Sequence, residues 1–386
     1  MSCKVFCTYP WKQLFSDSYG VYMPCCMATV NHPYNGCWHS AKSDFPAPKV
    51  NEVSPSEFFY SDYMKQLRSD MRGGKTTPLI EKVCANCINE EKEGRKGLRD
   101  PQWYEPLGRV VQVKLKIFGN LCNLSCYMCR IKDSSSRIKQ TEKLIQIDPE
   151  FGEMLEYDKL TDEMKHGGVS YNVIEDIKKL APRIEKIYII GGEPFIMPKH
   201  YEVLDALIEI GQAKNIVLKY HTNLTKLEWE GNHIFDYIKQ FKGCDINWSL
   251  EGIREQNDYI RFGSNWESNL QNYYKIKKHA KVWGNVCASS LSILSLHETE
   301  EWMKSEGLDY SINNIQEPRP CRIDSLHPKI REQLLPMYRN TKLESSLSAN
   351  IENWEDRWAE LLRYLKALDE INNTDYTKVF PLLNVE

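Results

Sequence analysis

The sequence has no run of about 18 consecutive apolar residues, so it predicts no membrane-spanning helix. It has little excess charge: a net −3 over 386 residues gives no field that demands nucleic acid or an anionic membrane as partner. Internal repeats and low-complexity tails are lacking too, which excludes solenoids and disordered arms. The first residues, Met1 to Cys7, have no signal-peptide pattern, so export is not expected. What the chain does have is 13 cysteines. An odd count without an export signal suits disulfide pairing poorly. It points to a reducing, cytoplasmic compartment and to thiolate–metal chemistry. With 41% hydrophobic and 27% charged residues the composition is that of a soluble globular protein, long enough for two domains or one large domain with an attachment.

The cysteines are not evenly spread. Cys122, Cys126 and Cys129 form a C-x3-C-x2-C run directly after an apolar, β-prone stretch, Val110 to Phe118. A structural tetrahedral site needs four protein ligands. Three thiolates on a short loop suit a cubane iron–sulfur cluster with one iron left open to bind a substrate or cofactor. A loop just past a strand is also where α/β folds carry their chemistry. Seven further cysteines lie in residues 1–105, a segment rich in Pro, Tyr, Asn and Gly that needs a metal or disulfide staple. Among them Cys7, Cys25 and the Cys84–Cys87 C-x2-C knuckle can converge on one metal and close its shell with four thiolates. Cys244, Cys287 and Cys321 sit in or beside apolar, strand-like runs and read as small buried hydrophobes. Cys3 and Cys37 have no assignment.

From about residue 109 strands alternate with helices. Strands are predicted near 110–118, 186–191, 215–220, 244–250, 285–293 and 309–315. Helices are predicted near 171–180, 199–212, 229–241, 266–280 and 297–304, and another at 56–68. Such alternation implies parallel strands joined by right-handed crossovers, and six units suggest an open, partial barrel. The polar span 130–168 interrupts it and predicts a helical excursion or lid. Ile351, Trp354, Trp358, Leu361, Leu362, Leu365 and Leu368 form a helical apolar stripe that predicts a C-terminal helix packed on the body. The expected division is 1–105, 109–325 and 326–386.

Cys122, Cys126 and Cys129 match the C-x3-C-x-φ-C motif of radical SAM enzymes, which the chain resembles over about residues 109–320. Its φ position is Met128 rather than the usual aromatic, with Tyr127 one place earlier. One strand later comes Gly191-Gly192-Glu193-Pro194, similar to the GGEP turn that contacts the methionyl amine in that family. Thr222-Asn223 resembles a further family pair. Asp245 to Gly252 resembles the fourth strand, and Ser249 and Glu251 are then expected at the ribose hydroxyls. Arg261 resembles an arginine near the methionyl carboxylate.

The resemblance implies a partial (β/α)6 TIM-like barrel that holds a [4Fe–4S] cluster and S-adenosylmethionine. It implies reductive cleavage to a 5′-deoxyadenosyl radical and hydrogen abstraction from a substrate. Gly20 to Cys25 gives G-x4-C, so the amino-terminal segment resembles a twitch or SPASM-type module. The resemblance then implies an auxiliary [4Fe–4S] cluster on Cys7, Cys25, Cys84 and Cys87, with Cys25 chosen over Cys26. Arg95 to Arg99 follows just after it. Here the module precedes the barrel, whereas it usually follows it. Zinc on the same four thiolates is the rival. Relatives with such modules often modify peptides, so a peptide or protein substrate is expected, with a small metabolite as the other class. A flavodoxin or ferredoxin is the expected electron donor. The other reading of the whole chain is a non-catalytic iron–sulfur or zinc protein.

Overall fold

The computed structural model describes residues 6–31, 46–74, 76–92, 112–116, 118–167 and 173–385. Cys3, Cys37 and Arg95 to Arg99 lie outside the described residues. No described helix is long and apolar enough to cross a membrane.

In chain order the strands are β1 (Gln13–Ser16), β2 (Tyr22–Met23), β3 (Gln112–Leu115), β4 (Lys186–Ile189), β5 (Val217–Thr222), β6 (Glu228–Trp229), β7 (Asn232–His233), β8 (Gly243–Ser249), β9 (Lys281–Ala288) and β10 (Tyr310–Asn314). The principal helices are α1 (Asp62–Arg72), α2 (Pro78–Val83), α3 (Ala85–Lys92), α4 (Ser135–Ile147), α5 (Ile174–Leu180), α6 (Pro198–Glu209), α7 (Ile234–Ile238), α8 (Arg254–Ile260), α9 (Trp266–Ile276), α10 (Leu296–Ser305) and α11 (Trp354–Asn372). From β3 onward strands and helices alternate as expected. The fold is α/β with a mostly parallel sheet, consistent with a partial TIM barrel of the radical SAM type.

The chain divides into two units. The first comprises residues 1–119, 167–220 and 236–244. Its strands run in the order β5-β4-β3-β1-β2, parallel except for β2. The amino-terminal segment thus adds β1 to the sheet beside β3, with Leu14 opposite Val113. The second unit comprises 120–166, 221–235 and 245–386. In it β8, β9 and β10 follow one another in parallel. Burial alternates strictly along β5 and β8. Leu218 and Tyr220, and Ile246 and Trp248, are buried on one face of their strands. The period of two places Lys219 and His221 on the other face of β5, and Asn247 and Ser249 on the other face of β8.

Three expected elements differ. The helix at 229–241 begins only at Ile234, because Glu228–His233 is a β-hairpin. Glu230 and Gly231 both take positive φ, 49° and 81°, which is the two-residue turn that matches strand twist. The strand at 285–293 runs instead over β9 and stops at Ala288. Ser289 and Ser292 close a turn there, each hydroxyl accepting from the other's backbone N–H, at 3.1 and 2.7 Å. The helix at 56–68 is two helices, Pro55–Phe59 and α1, because Ser61 caps α1 through Met64 N–H. The C-terminal stripe is helical as predicted, and α11 buries Leu361, Tyr364, Leu365 and Leu368.

Candidate active site

The Cys122–Cys129 loop is irregular backbone, so its shape rests on partners from outside it. The serine run at the start of α4 supplies several. Cys122 N–H donates to Ser135 Oγ at 3.1 Å, and Ser136 Oγ donates to the Cys122 carbonyl at 2.6 Å. Ser134 caps α4 through Arg137 N–H and donates to the Leu124 carbonyl at 3.0 Å. Ser125 N–H donates to the Phe262 carbonyl at 3.0 Å and Tyr127 N–H to the Ile260 carbonyl at 2.7 Å. Asn123 donates to Thr225 Oγ1 at 2.8 Å and accepts from Asn223 Nδ2 at 3.1 Å. Asn223 Oδ1 in turn accepts from Thr225 N–H at 2.9 Å. Tyr127 is buried, its hydroxyl 2.9 Å from Ser290 Oγ and 3.1 Å from the Pro320 carbonyl.

Sequence reasoning missed most of this frame. In the sequence Ser134–Ser136 is only part of a polar span, and Ser290 reads as a residue near the cofactor with no tie to the loop. The one sequence signal was a triple serine opening a helical pattern, a capping signature.

Within the loop Cys126 is buried, while Cys122 and Cys129 are half-buried. Burial pushes the Cys126 and Cys129 thiols up, and the neighbouring cysteines add to it at Cys129. Such thiols ionise only when a cation takes the proton's place, which is what iron does. Among the described residues no three His, Cys, Asp or Glu side chains close round a single metal ion. A cubane asks for something wider, with each thiolate on a different iron. Three thiols carried on one loop are the donor set such a cluster uses.

Glu251, just past the end of β8, and Arg261, which ends α8, form a buried ion pair of 2.5 Å. Their side chains are 1% and 9% exposed, so the pair is no surface salt bridge. Burial works to lower the Arg261 pKa; Cys126, once ionised, and then Glu251 outweigh it and hold the guanidinium charged. Burial raises Glu251 against the pull of Arg261. Cys287 hydrogen-bonds the Glu251 carboxylate, whereas Arg261 Nε has no partner among the described residues, so the pair keeps one donor for a polar ligand. Cys287 belongs here rather than to an apolar core. Burial and then Glu251 push its thiol up to about 12, so it stands protonated beside the carboxylate. Met128 is buried, and Ser249 is half-buried at the end of β8.

In the first unit Gly191 and Gly192 follow β4 with φ of 99° and 51°, conformations that favour glycine. Glu193 is fully buried and caps the turn Pro194–Ile196, accepting from Phe195 N–H at 3.2 Å. Gly119, at φ 103°, is tighter still: a Cβ there meets the Gly167 carbonyl oxygen at 2.8 Å. Gly119→Ala therefore destabilises by about 2 kcal/mol, strain and clash combined. Urea unfolding measures this.

Also in the first unit, Cys7, Cys25, Cys84 and Cys87 line one small cavity with Leu67 and Met71; Cys26 is not on its wall. The local sequence brings them there. Asp17 Oδ1 accepts from Tyr19 and Val21 N–H, at 2.9 and 3.0 Å, and Gly20 turns the chain at φ 73° into β2 and Cys25. Asn86 Nδ2 donates to the Met27 carbonyl at 3.1 Å and Thr29 N–H to the Val83 carbonyl at 2.9 Å, which ties the Cys25 loop to α2 and α3. Burial raises the Cys25 thiol, and Cys26, Cys84 and Cys7 raise it further. The four thiols thus share the lining of one cavity.

No curated protein matches the chain. Among solved structures, native anSMEcpe with bound AdoMet is 16% identical with a TM-score of 0.41, over 68% of this chain and 62% of that one. Native anSMEcpe with bound AdoMet and Cp18Cys peptide is 14% identical with a TM-score of 0.40, over 59% of each chain. Streptococcus suis SuiB bound to S-adenosylmethionine is 13% identical with a TM-score of 0.33, over 77% of this chain and 51% of that one. The chain spans about half to three fifths of the length of these structures. Residues 116–305, just under half of the chain, match the family model for the Radical SAM superfamily. That segment contains the three-cysteine loop, the Gly191–Pro194 turn and the Glu251–Arg261 pair, so the protein carries a radical SAM domain, the domain of an enzyme superfamily.

Proposed function

We propose that this protein is a radical SAM enzyme acting on a peptide or protein substrate. The observation that carries this reading is a C-x3-C-x2-C loop clamped by Ser134–Ser136 and Asn123, within a segment that matches the superfamily. A [4Fe–4S] cluster on Cys122, Cys126 and Cys129, once bound, supplies the electron that cleaves S-adenosylmethionine to methionine and the hydrogen-abstracting 5′-deoxyadenosyl radical. The chain's own residues bind and orient. Arg261 offers a cation and a free donor beside Cys126, and Glu251 a carboxylate, for the amino-acid and ribose ends of the cofactor. Gly191, Gly192, Glu193 and Pro194 present backbone groups to the methionyl amine. Ser249 serves a ribose hydroxyl, and Met128 packs toward adenine. The electron comes from a flavodoxin or ferredoxin, and the compartment is the cytoplasm.

Cys7, Cys25, Cys84 and Cys87 hold an auxiliary [4Fe–4S] cluster in a twitch-like module over 1–105. Its support is the shared cavity and the absence of Cys26 from its wall. The barrel then covers 109–325 and the helical extension 326–386.

Metal analysis after anaerobic reconstitution tests both sites together. About eight iron and eight sulfide per chain are expected. Cys84→Ala with Cys87→Ala takes about four of each away and leaves the rest. One zinc with about four iron makes the amino-terminal site structural instead. Addition of S-adenosylmethionine to the reduced protein changes its electron paramagnetic resonance spectrum; an unchanged spectrum contradicts the proposal. A deuterium-labelled peptide substrate delivers label to 5′-deoxyadenosine, whereas a substrate of another class yields none from any peptide.

A further inference from the structure

Arg137 carries a buried guanidinium that takes no part in the contacts of the cluster loop. It lies in the first turn of α4, whose cap Ser134 holds the cluster loop through the Leu124 carbonyl. Its side chain is fully buried. One guanidinium nitrogen, Nη1, donates to Gln140 Oε1, while Nε and Nη2 have no partner among the described residues. Gln140 is neutral and is itself held by Asn372 at 2.9 Å. The guanidinium also stands 5.6 Å from the centre of the Tyr364 ring. Tyr364 packs on Tyr127 at 5.5 Å, and its hydroxyl donates to the Tyr127 carbonyl, between Cys126 and Met128.

A buried cation without a carboxylate against it is costly, and proteins keep one where another negative charge arrives. Burial lowers the Arg137 pKa, and the groups that work against this are Cys321, Cys129, Cys126 and Tyr127 when they carry charge. Two of those are cluster-loop cysteines. Arg261, the other buried arginine beside Cys126, already has Glu251 as its counter-charge. Asp133 adds negative charge at Cys129 rather than relieving it.

We propose that Arg137 is an electrostatic positioning residue for the cluster, a fixed buried cation that raises its reduction potential. This rests on the reading of Cys122, Cys126 and Cys129 as cluster ligands. Each electron added makes the cluster more negative by one charge, and a cation in a low-dielectric setting favours the reduced form. Arg137 acts through the field of its charge and not by contact with the reacting atoms.

The test is a mediator-poised redox titration of the reconstituted protein, followed by electron paramagnetic resonance of the reduced cluster. Arg137→Gln is expected to make reduction at least tenfold less favourable, a fall of about 59 mV for a one-electron couple. Arg137→Lys keeps the charge and is expected to stay within a threefold change. Gln140→Glu leaves the arginine in place and sets a carboxylate against it. It is expected to lower the potential in the same direction, and it serves when Arg137→Gln does not fold. An unchanged potential in Arg137→Gln, or in Gln140→Glu when that variant serves, overturns the proposal, as does an equal shift in the Gln and Lys variants. A parent protein that takes up no reducible cluster sinks the ligand reading itself, whereas a reducible cluster indifferent to Arg137 sinks only this inference.

Discussion

Cys126→Ala abolishes formation of 5′-deoxyadenosine, to the level of a no-enzyme control, and lowers bound iron by about four atoms per chain. The effect is total rather than graded because the site has no spare donor. Two thiolates from Cys122 and Cys129 leave two irons of the cubane without a protein ligand. Serine at the same position is expected to fail as well, since a hydroxyl ionises far less readily than a thiol in a buried setting. The fold survives. Tyr127 and the Ser134–Ser136 clamp act through side chains and backbone that the substitution leaves alone. Unchanged circular dichroism with lost iron is therefore the predicted signature. A variant that still makes deoxyadenosine means the electron enters elsewhere.

The second large effect falls on stability. Glu251→Ala leaves Arg261 charged and buried without its partner, beside thiols that are neutral until iron arrives. Removing one member of a buried pair costs about 3–5 kcal/mol. The denaturation midpoint of the metal-free protein should fall accordingly. Glu251→Gln keeps an acceptor for the guanidinium and should cost less than half as much. Because iron-bound Cys126 supplies a counter-charge, reconstitution is expected to recover part of the Glu251→Ala loss. Equal losses in the metal-free and loaded proteins mean that Arg261 does not feel the cluster.

Local chemistry was legible in the sequence, and long-range partnership was not. The three-cysteine spacing, the Gly191-Gly192 turn and the β/α alternation are each written within a few consecutive residues. So are the strand–turn–strand of β1, Gly20 and β2, and the α11 stripe. The hairpin at Glu228–His233 was written locally too, in Glu230-Gly231, but an apolar helical period further on masked it. The loop clamp is another matter. Asn123 reaches Thr225 and Asn223 across about a hundred positions, and Tyr127 reaches Ser290 across more. Nothing in the periodicity of either segment encodes such a bond. Cys287 was misread for the same reason. Its neighbours in sequence are apolar, but its neighbour in space is Glu251. Arg137 looks like any surface arginine of a polar helix until its complete burial is seen.

The central claim is that Cys122, Cys126 and Cys129 hold a cluster that passes one electron to S-adenosylmethionine. The most direct measurement is anaerobic incubation of the reconstituted protein with dithionite and S-adenosylmethionine, with methionine and 5′-deoxyadenosine quantified by chromatography. Equal amounts of the two, present with the parent protein and absent with Cys126→Ala, are the predicted result. A fully loaded, fully reduced parent protein that leaves S-adenosylmethionine intact contradicts the account.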